Sequence, residues 1–273
     1  MMSLTHKIDF AVVFKVKNAN PNGDPLNGNR PRTTYTGLGE VSDVCIKRKI
    51  RNRLMEKGHN IFVQSDDNRI DEHISLRARA EEFLPLKASS KEKTQKACEK
   101  WFDVRAFGQV LAFSGKKKGE GVSIGIRGPV SIHSAFSLDR VDVTSTQITK
   151  SVSTEGDGSK KGSDTMGMKH RVDSGVYVFY GSINPQLASK TGFSDEDAKV
   201  FKSVLPQLFE NDASSARPEG SMEVLKVVWW QHNCPNGQLS SAKVHQSLQV
   251  EKDGSISFHE VENSPEPEVI DGF

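Results

Sequence analysis

Apolar positions cluster most densely at residues 8–16 (IDFAVVFKV), a β-branched and aromatic run bounded by charge that predicts a buried strand. Residues 18–40 (NANPNGDPLNGNRPRTTYTGLGE) carry Asn, Pro and Gly at nearly every turn-forming position and predict a long ordered loop. The period then becomes helical over 43–56 (DVCIKRKIRNRLME), with Ser42 or Asp43 as N-cap. Ile46, Ile50 and Leu54 recur at i, i+4 and i+8 and form one core-facing stripe. Residues 71–85 and 91–113 are helical by composition, and Trp101, Phe102, Val104, Phe107 and Leu111 supply an apolar face flanked by Asp103 and Arg105. Alternation returns at 121–136, with a break at Gly128–Pro129, at 174–183 and at 222–232. The last of these places Trp229 and Trp230 on opposite faces. Residues 193–210 predict a helix capped by Ser194, with acids in its first turn, that Pro206 kinks or ends early.

Stripped of insertions, the order is strand, helix, strand, strand, helix, strand. That is the split βαβ order of a ferredoxin-like α+β fold, on which RNA-recognition (RRM-like) modules are also built. The pattern divides the chain into a palm (1–58 and 121–250), a helical insertion (59–120) and a projecting β-hairpin (147–172) within the palm. In the hairpin, 143–154 alternates like a strand, 155–165 is a polar Gly/Ser/Lys tip, and 166–175 leads back to the core. A hairpin with so little core of its own is marginally stable and calls for a partner. A surface loop has the same composition. Residues 251–273 carry seven acids against one lysine and predict a disordered acidic tail.

Charge changes the picture locally, not globally. The net charge of +2, with 35% hydrophobic and 26% charged residues, describes a polar globule. The cations gather on the 43–56 helix: Lys47 and Arg51 flank the apolar stripe on one side, Lys49 and Arg53 on the other, and Arg48 lies opposite it. A solvated surface helix has this composition too, but a polar loop delivering such a helix suits an anion, and phosphate above all. A second basic stretch, GKKKGEG (115–121), lacks the GK[ST] ending of a phosphate-binding loop. It predicts a flexible loop in which Lys116, Lys117 and Lys118 are available to nucleic acid. No apolar run reaches membrane-spanning length, and the N-terminus has no signal-peptide core. Three isolated cysteines without CxxC spacing fit a reduced, cytoplasmic protein.

The run NANPNGDP (18–25), the PR at 31–32, SDVCIKRKIRN (42–52), GIRGPV (125–130), TMGMKHRVDSGVYVFYGSIN (165–184) and NDASSARPEGSM (211–222) together resemble the backbone subunit of the type I CRISPR effector complex Cascade. More narrowly they resemble the Csd/Csh-like branch of subtype I-C. The resemblance implies a non-enzymatic protein that polymerises along CRISPR RNA beside other Cascade subunits and presents it for pairing with target DNA. Lys47, Arg48 and Arg51 would hold the RNA backbone without reading sequence, with Ser42 at the helix start and Asn20, Asn22 and Arg32 as polar contacts from the loop. The hairpin would be the thumb that crosses the RNA, with Met166 wedged against a flipped base and Lys150, Lys169, His170 and Arg171 near phosphates. Ser214, Ser215 and Arg217 suit a phosphate or a neighbouring subunit, and equally a plain capping turn.

Catalysis has one candidate. The eight histidines are scattered without HxxxH or HExxH spacing, His232 and Cys234 lack further ligands, and no metal or cofactor site is expected. Asp24 is the exception, since related subunits of RNA-targeting complexes use a loop aspartate, and it carries the alternative of a metal-dependent endoribonuclease. Its place between Gly23 and Pro25 is equally that of a turn residue. A free-standing monomeric RNA-binding module is the third reading.

Overall fold

The computed structural model describes residues 3–85, 88–113, 122–151 and 166–273. The chain opens with β1 (Ile8–Ala19), then a loop holding the short pair β2 (Gly23–Asp24) and β3 (Arg30–Pro31), then β4 (Leu38–Val41) and α1 (Asp43–Glu56). Next come α2 (Leu76–Phe83), α3 (Ser90–Lys100), α4 (Phe102–Phe107) and the strand pair β5 (Gly108–Phe113) and β6 (Val122–Arg127). The chain returns through β7 (Val130–Ile132), β8 (Ala135–Arg140), β9 (Val143–Thr149) and β10 (Met166–Ile183). It ends with α5 (Pro185–Thr191), α6 (Asp195–Val204), β11 (Met222–Gln231), α7 (Ser241–Gln246), β12 (Leu248–Val250), β13 (Ile256–Phe258) and β14 (Pro267–Asp271).

This is a mixed α+β architecture built on one large antiparallel sheet, ordered β14–β11–β1–β10–β8–β4, with β7 and β9 also paired to β10. The central strands β1 and β10 are apolar on both faces because both faces are covered. On one face Phe10, Val12 and Phe14 meet Ile46, Ile50 and Leu54 of α1 and Phe201 and Val204 of α6. Each such fully buried side chain stabilises the fold by roughly 1.5–3 kcal/mol. On the other face Ala11, Val228 and Trp230 pack against Val244 of α7 and Leu248, while Val13, Val176 and Val178 meet Val250 and Ile256. Trp229 lies in the first cluster and Trp230 in the other, as the two-residue period requires.

Several expectations are corrected. The end of the chain is not a disordered tail: β13 pairs with β12, and β14 adds to the edge of the sheet beside β11. Two of its acids pair with basic neighbours, Glu268 with Lys202 and Asp271 with Lys226, and Ile256 packs on the second sheet face while Ile270 packs against the main core. Composition undervalued this segment because its partners are distant in sequence.

The stretch 108–113 is a strand, not the end of a helix. Gly108 turns the chain at φ 78°, and a Cβ there would lie 2.3 Å from the Ile126 carbonyl oxygen, so β5 begins hard against β6. Ile124 and Ile126 consequently pack with Phe62, Trp101, Val104 and Leu111 in a second core, away from the main sheet. Helix α6 ends at Val204, two residues before Pro206. The returning arm of the hairpin and the core strand are one element, because β10 runs 18 residues without interruption. The hairpin tip (155–165) and the basic loop (115–121) with Lys116, Lys117 and Lys118 lie outside the described residues.

Candidate nucleic-acid interface

The 18–40 loop is held in place by its own asparagines. Asn22 Oδ1 accepts from the backbone N–H of Ser42 at 3.0 Å and from its hydroxyl at 2.8 Å, which ties the loop to the start of α1. Ser42 in turn caps the helix, its Oγ accepting from the Cys45 N–H. Asn20 is buried and donates to the Asn29 carbonyl at 2.7 Å, while its Oδ1 has no hydrogen-bond partner. Arg32 reaches Asp24 at 3.6 Å. Asp24 also accepts from the Leu26 N–H and so caps the tight turn at Pro25–Asn27. Among the described residues no three His, Cys, Asp or Glu side chains are grouped as a metal site.

The cations of α1 do not form one surface. Lys47, Arg48 and Arg51 turn toward the insertion: Lys47 pairs with Asp43 at 2.8 Å, Arg48 donates to the Val63 carbonyl at 2.7 Å, and Arg51 donates to Asp103 at 2.8 Å. Burial, helped by the Arg51 charge, pushes the Arg48 guanidinium below its usual range. Arg51 also lies 5.1 Å from the centre of the Phe107 ring. Lys49 and Arg53 are buried instead, Lys49 paired with Asp212 and Arg53 with Glu56. Burial pulls the Lys49 ammonium down, and the Asp212 carboxylate acts against it.

The hairpin sorts its residues by face. The register pairs Lys169 with Thr146, Arg171 with Thr144 and His170 with Ser145. His170 is buried, its Nδ1 2.8 Å from the Ser145 hydroxyl, so it braces the hairpin. Met166 and Met168 are exposed, at 65% and 55%, and by the two-residue period they share His170's side of the strand. Lys169 and Arg171 project from the opposite side and line an open cleft of about 410 Å³ with Thr146, Ile148, Asn18 and Pro218. Arg171 also pairs with Asp173 at 3.3 Å. Lys150, past the end of β9, is exposed.

The 211–222 loop completes this cleft. The Asn20 N–H donates to the Ala216 carbonyl and the Lys17 N–H to the Ser221 carbonyl, fixing the loop against the end of β1. Ser214 Oγ accepts from the Arg217 N–H at 3.2 Å, a local turn, and Ser215 is exposed. Arg217 pairs with Asp212 at 3.0 Å, on the same carboxylate oxygen that Lys49 uses. Asn18, Lys169, Arg171 and Pro218 thus meet in one groove, whereas Arg217 lines a separate cleft with Asp212, Glu210, Glu219 and Glu223. Lys47, Arg48 and Arg51 lie on the insertion side of α1. Sequence reading missed Asp103, Asp212 and the buried state of Lys49, since nothing in a linear chain marks partners 52 and 163 residues apart.

The chain matches the family described as CRISPR-associated protein Cas7 over residues 6–268, and it belongs to that family. A protein of Haloferax volcanii described as CRISPR-associated protein Cas7 is 26% identical over 244 residues, covering 83% of this chain and 71% of its own length. Among solved structures, a chain of a CRISPR RNA-guided surveillance complex, pre-nicking, superposes with a TM-score of 0.52 at 18% identity. That alignment covers 91% of this chain and 82% of the other, and it establishes shared fold. No helix among the described residues is long and apolar enough to cross a membrane.

Proposed function

We propose that this chain is a non-catalytic CRISPR RNA-binding backbone subunit that polymerises along the guide RNA in a type I complex of subtype I-C and presents the guide for pairing with target DNA. Membership of the Cas7 family and the likeness to a chain of an RNA-guided surveillance complex support the reading. The observation that carries it is the cleft in which the hairpin cations Lys169 and Arg171 face Asn18 and Pro218. Such a groove tracks a phosphate backbone by charge, and sequence recognition is left to guide–target pairing. Lys47, Arg48 and Arg51 form a second basic margin on the insertion side. The exposed Met166 is the apolar side chain offered to an unstacked base.

The strand order β11–β1–β10–β8, with α1 and α6 on one face, supports a ferredoxin-like palm formed by 1–58 and 121–250, with 59–120 inserted. By packing, β5 and β6 go with the insertion, so the second segment of the palm starts after Arg127 and not at residue 121. The second sheet face, open in a simple RNA-recognition module, is closed by α7 and β12–β13, which favours the hairpin cleft as the RNA path. The endoribonuclease alternative is not favoured: the Asp24 carboxylate is engaged by a turn and by Arg32.

The test is co-expression with the neighbouring genes and a CRISPR array. A large complex holding RNA of one discrete length, lost when Lys47, Arg48 and Arg51 become Ala in a chain that remains folded, is the expected result. Elution as a monomer free of nucleic acid, unchanged in the variant, overturns the reading.

A further inference from the structure

Gly167 of β10 and Ile148 of β9 face each other across the hairpin. Directly opposed residues of an antiparallel pair share a side of the sheet, so both stand on the side of Thr146, Lys169 and Arg171. Ile148 is 49% exposed, and its cross-strand partner offers no side chain to cover it. The fold does not ask for a glycine at 167. Its φ is not positive, and a Cβ there would meet Ile148 Cγ1 at 3.5 Å and Cδ1 at 3.8 Å, ordinary contact distances. Glycine in a strand costs stability, and one that the backbone does not require marks a place where a ligand comes close.

This bare patch belongs to an open cleft. Ile148 lines the space of about 410 Å³ together with Asn18, Thr146, Lys169, Arg171 and Pro218. That volume falls within the range of roughly 300–1,000 Å³ typical of ligand sites. The walls are of two kinds, apolar at Ile148 and Pro218 and cationic at Lys169 and Arg171. Arg171 is steadied by Asp173, which also accepts from the Thr144 hydroxyl at 2.8 Å. Among the described residues, Lys169 and the Asn18 amide have no hydrogen-bond or ion-pair partner. Asn18 is held at φ 54° near the end of β1, a conformation that suits few residues besides Gly, Asn and Asp. A phosphate would use the cations and leave the apolar wall in water. A nucleobase uses the rest, since its flat face covers an apolar surface while its edge hydrogen-bonds to an amide.

We propose that the Gly167–Ile148 patch seats one unstacked nucleobase of a bound single strand, with Asn18 at the base edge and Lys169 and Arg171 on the adjoining phosphates. The inference rests on the RNA-binding reading and deepens it, because the cleft then holds a base as well as the backbone. The seat lies on the opposite side of the hairpin from Met166. Glycine at 167 sets its depth, since a side chain there would fill the space over which the base lies. An amide carries both donors and an acceptor, so the seat takes any base and reads no sequence.

Gly167→Val in the full chain tests this. The added side chain has room, and a β-branched residue opposite Ile148 favours the strand pair, so the melting temperature should be equal or higher. Affinity for an oligouridine strand should fall by on the order of tenfold, the scale of one lost base contact. The slope of affinity against salt should not move, because no cation is lost. A ribose-phosphate strand of equal length without bases should bind both proteins alike. Asn18→Gly keeps the left-handed backbone and removes the amide, and it should weaken binding only of the strand with bases. Equal weakening for both strands, or no weakening in Gly167→Val, overturns the base seat while the RNA reading stands. So does altered self-association of Gly167→Val without RNA, which would give the patch to a neighbouring copy. Should Gly167→Val unfold, Gly167→Ala answers the same comparison with a single methyl group. An unaltered chain that binds neither strand overturns the RNA reading itself, and the seat with it.

Discussion

Arg51 donates from Nε to Oδ2 of Asp103 at 2.8 Å, and that carboxylate is 1% exposed. Asp103 also accepts from the backbone N–H groups of Phe62 at 2.7 Å and Val63 at 3.1 Å. A single buried acid thus joins α1 to the helical insertion through a charged pair and two backbone bonds. A cation expected to face RNA is also a structural member of the junction between the two cores.

Asp103→Ala leaves Arg51 and two buried N–H groups without their partner. It should cost about 3–5 kcal/mol of stability, the range for breaking one side of a buried ion pair. Urea unfolding of the purified chain measures this, and a loss under about 1 kcal/mol, the scale of an exposed pair, would show that Asp103 is not the joint.

Lys47 and Arg48 are less deeply tied to the fold, so Lys47→Ala with Arg48→Ala separates binding from folding. The pair should weaken RNA binding and lower the salt slope by about 1.4, or about 0.7 for each phosphate no longer neutralised, at nearly unchanged melting temperature. A fluorescence titration at several salt concentrations reads both numbers. An unaltered slope would remove this face from the RNA path.

The two sides of the hairpin should respond differently. Lys169→Ala with Arg171→Ala strips the cations from the cleft and should weaken RNA binding without disturbing β9 and β10. His170→Ala removes the brace to Ser145 and should increase amide exchange in 143–149 and 166–172 in the free chain. Equal loss of RNA affinity from both changes would argue against a one-sided groove.

Val244 is the buried residue of α7 and packs with Trp230 and Ala11 on the second sheet face. Val244→Asp should destabilise the chain by on the order of 3 kcal/mol, since it buries a charge without a partner. Deleting 239–273 should go further, exposing Trp230 and Val228 and giving an insoluble or dye-binding product. A deletion that stays monomeric and native would mean that the C-terminal segment is dispensable.

Asp71 lies against Arg79, whose guanidinium hydrogen bonds hold its carboxyl down at about 2. The folded value lies below the unfolded one, so this stabilisation is complete above about pH 4 and is lost as pH falls toward 2. The partly exposed pair is worth on the order of 1 kcal/mol after screening. Asp71→Asn should remove that share of the acid dependence, as a denaturation series between about pH 5 and pH 2 would show.

What the sequence determined by itself is local. The period of 43–56, its Ser42 cap and the Ile46, Ile50 and Leu54 stripe define α1 without reference to the rest of the chain. The continuous apolar run of β1 marks a buried strand, and the opposed faces of Trp229 and Trp230 on β11 follow from the pleat. The Asn-rich loop was legible as ordered, although not that Asn22 holds Ser42.

Tertiary structure decided every matter that turns on a distant partner. Lys47 and Lys49 are two residues apart and equally basic, yet one stays at the surface beside Asp43 and the other is buried against Asp212. Gly108 begins a strand because β6 lies against it, and an acidic C-terminus is ordered because β14 pairs with β11 and Ile256 and Ile270 find apolar partners. Helical and strand periods are set by bonds within a few residues, whereas burial and charge pairing are set by which surfaces the fold brings together. The cleft between hairpin and loop belongs to that second kind.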